Sequence, residues 1–96
     1  MMITHVVFFK LPEEHKDKVQ ELRQTLAGLD GKIPELKSIE VGVDVLHSAR
    51  SYDVALITRF DSMADLDAYQ IHPEHQKVIQ YIQSVQAASA AVDFED

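Results

Sequence analysis

Residues 3–11, Ile-Thr-His-Val-Val-Phe-Phe-Lys-Leu, are dense in β-branched and aromatic side chains and stop at Pro12, the pattern of a strand. Along it Ile3, His5, Val7 and Phe9 project to one face, and Thr4, Val6, Phe8 and Lys10 to the other. Both faces carry large apolar groups. A sheet with one face in water should be polar there, so Val6 and Phe8 need a cover that a short chain can hardly supply.

Pro12-Glu13-Glu14 suits a helix start, with proline in the first turn and carboxylates at the positive end of the helix dipole. Val19, Leu22, Leu26 and Leu29 follow at spacings of three and four, one apolar stripe opposite Lys18, Glu21 and Arg23. Gly28 and Gly31 end the helix. Residues 37–45 alternate as a strand, with Ile39, Val41, Val43 and Val45 on one side and Ser38, Glu40, Gly42 and Asp44 on the other. A polar loop, 46–51, leads to a third strand over 52–60. There Val54, Leu56, Thr58 and Phe60 share one face, and Ala55, Ile57 and Arg59 the other. Ser62, with Asp65 three residues on, predicts a capped short helix bearing Leu66 and Tyr69. His72-Pro73 breaks that helix and starts another, whose stripe is Val78, Ile79, Ile82 and Val85. Ala90, Val92 and Phe94 alternate in a final strand over 90–95.

The order is strand, helix, two strands, a helix pair and a strand. It predicts a single α+β domain over residues 1–96, a ferredoxin-like βαββαβ fold with helices on one face of a four-stranded antiparallel sheet. Val6, Phe8, Ile39, Val41, Val43 and Ile57 are expected on the other face. An exposed apolar patch of that extent is a liability. Two copies packed sheet to sheet about a two-fold axis remove it, which predicts a homodimer forming an α/β barrel.

Composition narrows the partners. The 96 residues leave room for one core, and hydrophobic residues make up 46%. The net charge of −7 argues against nucleic acid and anionic lipid. The opening Met-Met-Ile-Thr-His-Val-Val-Phe-Phe-Lys run is too short to span a bilayer and lacks the basic start and cleavage site of a signal peptide. There is no cysteine, which excludes disulfides and thiolate chemistry and suits a reducing, cytoplasmic setting.

Three segments together resemble the stress-responsive dimeric A/B barrel (Dabb) family. They are His5-Val-Val-Phe-Phe-Lys10, Ile33-Pro34-Glu35-Leu36 leading into Ile39-Glu40-Val41-Gly42, and the long stretch from Tyr52-Asp53 through Phe60-Asp61-Ser62. Leu66, Tyr69 and His72-Pro73-Glu74-His75 complete the last. The resemblance covers nearly the whole chain and implies a ferredoxin-like protomer, two of which build a barrel. Many family members are small stress-associated proteins without an assigned activity, and a plant polyketide cyclase is one enzyme among them.

His5 shares a strand face with Val7 and Phe9, Tyr69 follows Leu66 by three, and His75 precedes Val78 and Ile79 by three and four. All three point between sheet and helices, where an apolar space with a few polar groups suits a small ligand. Val7, Phe9, Leu22, Leu26, Leu56, Thr58, Val78, Ile79 and Ile82 are its expected walls. The cyclase resemblance implies an acid/base role for His75, a catalytic tyrosine at Tyr69 and a further cavity histidine at His5. Such an imidazole removes a proton next to a carbonyl, and a phenol hydrogen-bonds the oxyanion formed. Asp93 is a candidate for orienting His75. Where the cyclase has large aromatics, this chain has Leu22, Leu26, Val78 and Gln86, so the resemblance does not carry over the cyclase's polyketide substrate. His72, Glu74 and His75 lack a third metal ligand at a suitable spacing, so neither metal nor cofactor is expected. His-Pro-x-His also reads as a helix-start device. The expectation is a homodimeric module binding a small apolar or aromatic ligand. The alternative is a cofactor-free enzyme, cyclase-like or monooxygenase-like, using His75 and Tyr69.

Overall fold

The computed structural model describes residues 2–96. Strand β1 (Ile3–Lys10) is followed by a 3-10 turn (Glu13–Lys18) and helix α1 (Val19–Ala27). Strands β2 (Ser38–Val43) and β3 (Val54–Phe60) come next, then helices α2 (Met63–Ile71) and α3 (Pro73–Ser84), and strand β4 (Ala88–Glu95). The sheet order is β2-β3-β1-β4 with every pairing antiparallel, the ferredoxin-like arrangement expected. Among the described residues no helix is long and apolar enough to cross a membrane.

Local chemistry accounts for the boundaries. Pro12 offers no capping side chain, and the helix it opens begins as 3-10, with His15 N–H bonding the Pro12 carbonyl at 2.9 Å. The α-helix proper therefore starts at Val19, later than its sequence pattern suggests. Gly31, at φ 80°, makes the turn beyond α1 in a conformation that costs glycine little. Ser62 caps α2 by accepting from Asp65 N–H at 3.1 Å.

The core lies between the sheet and the helices, with Val7, Phe9, Leu22, Leu26, Val54, Leu56, Phe60 and Leu66 all buried. Cross-strand register decides which residues join it. Ile39, Val41 and Val43 pair with Thr58, Leu56 and Val54, so they pack on this core and not on the outer sheet face where they were expected. Alternation fixes which residues share a face but leaves the face itself open. Ser38, Glu40 and Gly42 point outward instead, as polar positions on a half-covered sheet should.

The outer face keeps Val6, Phe8 and Ile57 and gains Ala90, Val92 and Phe94, which β4 sets opposite Phe8, Val6 and Thr4. Phe8 is 43% exposed, Val92 63% and Phe94 46%. Among the described residues no element covers them.

At one sheet end Asp53 ties three segments together. Its carboxylate accepts from Leu11 N–H at 2.7 Å and from Lys16 Nζ at 2.9 Å, and its own N–H donates to the Phe9 carbonyl at 2.8 Å.

Candidate functional site

Tyr69 lies in the last turn of α2 and His75 in the first turn of α3. Between them His72 is extended, with ψ 139°, because the proline after it disfavours helix. His72 also caps α3: its Nδ1 accepts from Glu74 N–H at 3.1 Å, and Pro73 fills the first helical position. The helix-start reading of His-Pro-x-His is thus realised. The one-residue break folds α3 back so that the Tyr69 and His75 rings stand 4.4 Å apart.

The carbonyls at a helix C-terminus have no partner within the helix. That of Gln70 accepts from His75 Nδ1 at 3.0 Å and from Gln76 Nε2 at 2.9 Å. A carbonyl only accepts, so His75 carries its proton on Nδ1, and the neutral ring keeps a lone pair on Nε2. Burial pulls the His75 pKa below that of an ordinary imidazole, and the charges of His5 and His72 push the same way, against the Gln70 bond. The His75 ring is therefore neutral near pH 7.

Tyr69 is fully buried, with Phe60 at 4.9 Å and His5 edge-on at 6.4 Å between ring centroids. Burial pushes its pKa up to about 12, so it keeps its proton at neutral pH. Among the described residues, its hydroxyl is the one buried side-chain oxygen or nitrogen without a hydrogen-bond partner. Leaving such a group unpaired costs about 1–3 kcal/mol.

His5 is buried on β1, directly opposite Asp93 on β4. Its Nδ1 is bonded to the Asp93 carboxylate, which is 43% exposed. Asp93 thus holds His5, not His75, because register places the two side by side on one face of the sheet. No stretch of the sequence states that pairing.

A cleft of about 510 Å³ joins these groups. The expected residues His5, Val7, Phe9, Leu26, Leu56, Tyr69, His75, Val78, Ile79 and Ile82 all line it. Leu22 and Thr58 do not: both are fully buried in the core behind it, and the Thr58 hydroxyl faces the His5 carbonyl at 3.4 Å. Of the four positions compared with the cyclase aromatics, Leu26 and Val78 reach the cleft, while Leu22 and Gln86 do not. Gln70, Gln83, Ala87, Ser89 and Ala91, which sequence reasoning does not single out, and Asp93, expected to orient His75, complete the lining. The signal for three of them was alternation in β4, where Ser89, Ala91 and Asp93 face away from Ala90, Val92 and Phe94. All of β4 is exposed, which leaves the cleft open on that side. Among the described residues no three His, Asp or Glu side chains gather as a metal site.

Known proteins share this architecture. A crystal structure of a dimeric ferredoxin-like protein of unknown function from Thermobifida fusca is 32% identical with a TM-score of 0.87, covering 100% of this chain and 92% of that one. A dimeric protein of ferredoxin-like fold from Bacteroides fragilis is 31% identical with a TM-score of 0.84, covering 99% and 96%. The Arabidopsis thaliana stress-response A/B barrel domain-containing protein DABB1 is 26% identical over 98 residues, or 97% of this chain. This chain spans 46% of that relative's length. A profile of the Stress responsive A/B Barrel Domain matches residues 3–96, from the start of β1 through the last residue. With its strand order and nearly all its sequence accounted for in this way, the chain belongs to the stress-responsive A/B barrel (Dabb) family.

Proposed function

We propose that the protein is a cytoplasmic homodimer, each copy of which binds a small, largely apolar or aromatic ligand in the cleft between sheet and helices. One observation carries the ligand reading: the buried Tyr69 hydroxyl has no partner, and Tyr69 lines a cleft with mostly aliphatic walls. Buried polar groups are nearly always hydrogen-bonded, and an exception beside an apolar cleft is what a ligand's polar atom would satisfy. The cleft volume suits a compound of one or two rings.

The dimer reading rests on Phe8, Val92 and Phe94, exposed on a face that no helix among the described residues covers, and on two relatives of this fold described as dimeric. Packing the outer faces of two copies would bury these side chains with Val6 and Ile57. The chain lacks cysteine, which agrees with a cytoplasmic setting.

A second reading is favoured by the tautomer of His75. Its Nε2 lone pair, beside a phenol that holds its proton, suits cofactor-free proton transfer, cyclase-like in kind. His75 Nε2 takes a proton from the carbon next to a ligand carbonyl, and the electron pair moves onto the carbonyl oxygen. The Tyr69 O–H stabilises that oxygen, and His75 then returns the proton. Titration with small aromatic and keto compounds separates the readings. Binding without turnover supports the first, and turnover lost in both His75→Ala and Tyr69→Phe supports the second. If no compound perturbs Tyr69 or His75, both fail.

A further inference from the structure

The two histidines of the cleft are held alike. The Nδ1 of each is engaged by an oxygen that accepts hydrogen bonds: the Asp93 carboxylate for His5 and the Gln70 carbonyl for His75. Their ring centroids lie 6.4 and 4.4 Å from that of Tyr69. Among the described residues lining the cleft there is no lysine or arginine.

We infer that Asp93 is a positioning residue: by accepting a hydrogen bond from His5 Nδ1–H it keeps the proton there and leaves a lone pair on Nε2, so the cleft offers two imidazole acceptors and one phenol donor, and it selects a neutral phenol or enol over a carboxylate. This rests on the cleft being a ligand site, as proposed above. A hydroxyl oxygen both accepts from Tyr69 and donates to an Nε2. A carboxylate only accepts. It would face two lone pairs, find no cation to offset its desolvation, and meet the Asp93 charge at the rim. The aliphatic floor of Val7, Leu26, Leu56 and Val78 suits the body of an aromatic ring.

Long-range proton–nitrogen NMR of the full chain, at a pH where both rings are neutral, reads the tautomers without any ligand. His5 and His75 should both carry the proton on Nδ1. In Asp93→Ala, His5 should move toward the Nε2–H form while His75, held by a main-chain carbonyl, stays as it is. A His5 that is Nε2–H in the parent protein, or unchanged by Asp93→Ala, overturns the positioning role. Asp93 is exposed on an edge strand between Val92 and Phe94, and the amide spectrum of the variant reports that the fold is kept.

Phenol and benzoate then probe the ligand class. Phenol should shift the Tyr69 and His5 ring signals, with benzoate at least about tenfold weaker, the loss that follows from unpaired buried acceptors. Benzoate binding as well as phenol overturns the class. If neither binds while the tautomers are as stated, the ligand reading of the cleft fails with the class, and the positioning role of Asp93 stands.

Discussion

The rings of Tyr69 and His75 lie 4.4 Å apart, tilted at 49°, across a helix break one residue long. The phenol has no hydrogen-bond partner and the imidazole has spent its Nδ1 proton on the Gln70 carbonyl. One group is left to donate and the other to accept.

Tyr69→Phe should therefore separate stability from function. Removing an unpaired buried hydroxyl leaves stability unchanged or raises it by up to about 1 kcal/mol. Ligand binding, or turnover if present, should fall by about tenfold or more. Urea unfolding together with ligand titration of the same variant checks both halves.

His72 should behave as a cap. His72→Ala removes the acceptor for Glu74 N–H and costs about 1 kcal/mol, whereas His72→Asn, a good capping residue, restores most of it. Thermal unfolding of the two variants gives the comparison. The helix start around His75 loosens with the cap, so His72→Ala should also broaden the His75 ring signals.

Acid should act through Asp53 and His75. Asp53 is held below the usual carboxylate range: burial raises its pKa, but Lys16 and Leu11 N–H, with Lys10 nearby, outweigh it. Its contribution is complete above pH 3.8 and is lost as pH falls through the lower folded value. The His75 pKa is also lowered, from 6.5, so the unfolded chain binds the proton more readily. Stability from this group is present above pH 6.5 and declines as pH falls toward its folded value. Urea midpoints from pH 8 to pH 3 should fall in two stages, and His75→Gln should remove the upper one. Asp53→Ala should cost about 1–3 kcal/mol at pH 7 by leaving the Leu11 N–H unpaired.

Phe8 and Ile57 test the dimer. A charge at either, as in Phe8→Asp or Ile57→Lys, should weaken self-association by about tenfold or more, since it must be desolvated in an apolar contact. Val41→Ala, expected to disturb the interface if β2 faced outward, should lower stability instead and leave association unchanged. Sedimentation equilibrium distinguishes the two outcomes.

Much of this was legible in the chain. Periodicity placed all four strands and the helices, and the inward faces of β1, α2 and α3 brought His5, Tyr69 and His75 to one space. What failed was depth and pairing. Alternation groups Ile39, Val41 and Val43 on one face but does not say which face is covered; the polar alternates Ser38 and Glu40 are what mark the outer side. Leu22 and Thr58 share the faces of cleft residues but lie behind them, a distinction that depends on where helices stop covering the sheet. The bond from Asp93 to His5 depends on a register between chain ends 88 residues apart, which no local pattern encodes.

The most direct measurement is a crystal structure of the protein soaked with a mixture of small phenols and ketones. The account predicts ligand density beside His75, with an oxygen within hydrogen-bonding distance of the Tyr69 hydroxyl. An empty cleft at saturating concentrations, with the Tyr69 hydroxyl bonded to another group of the protein, would contradict it.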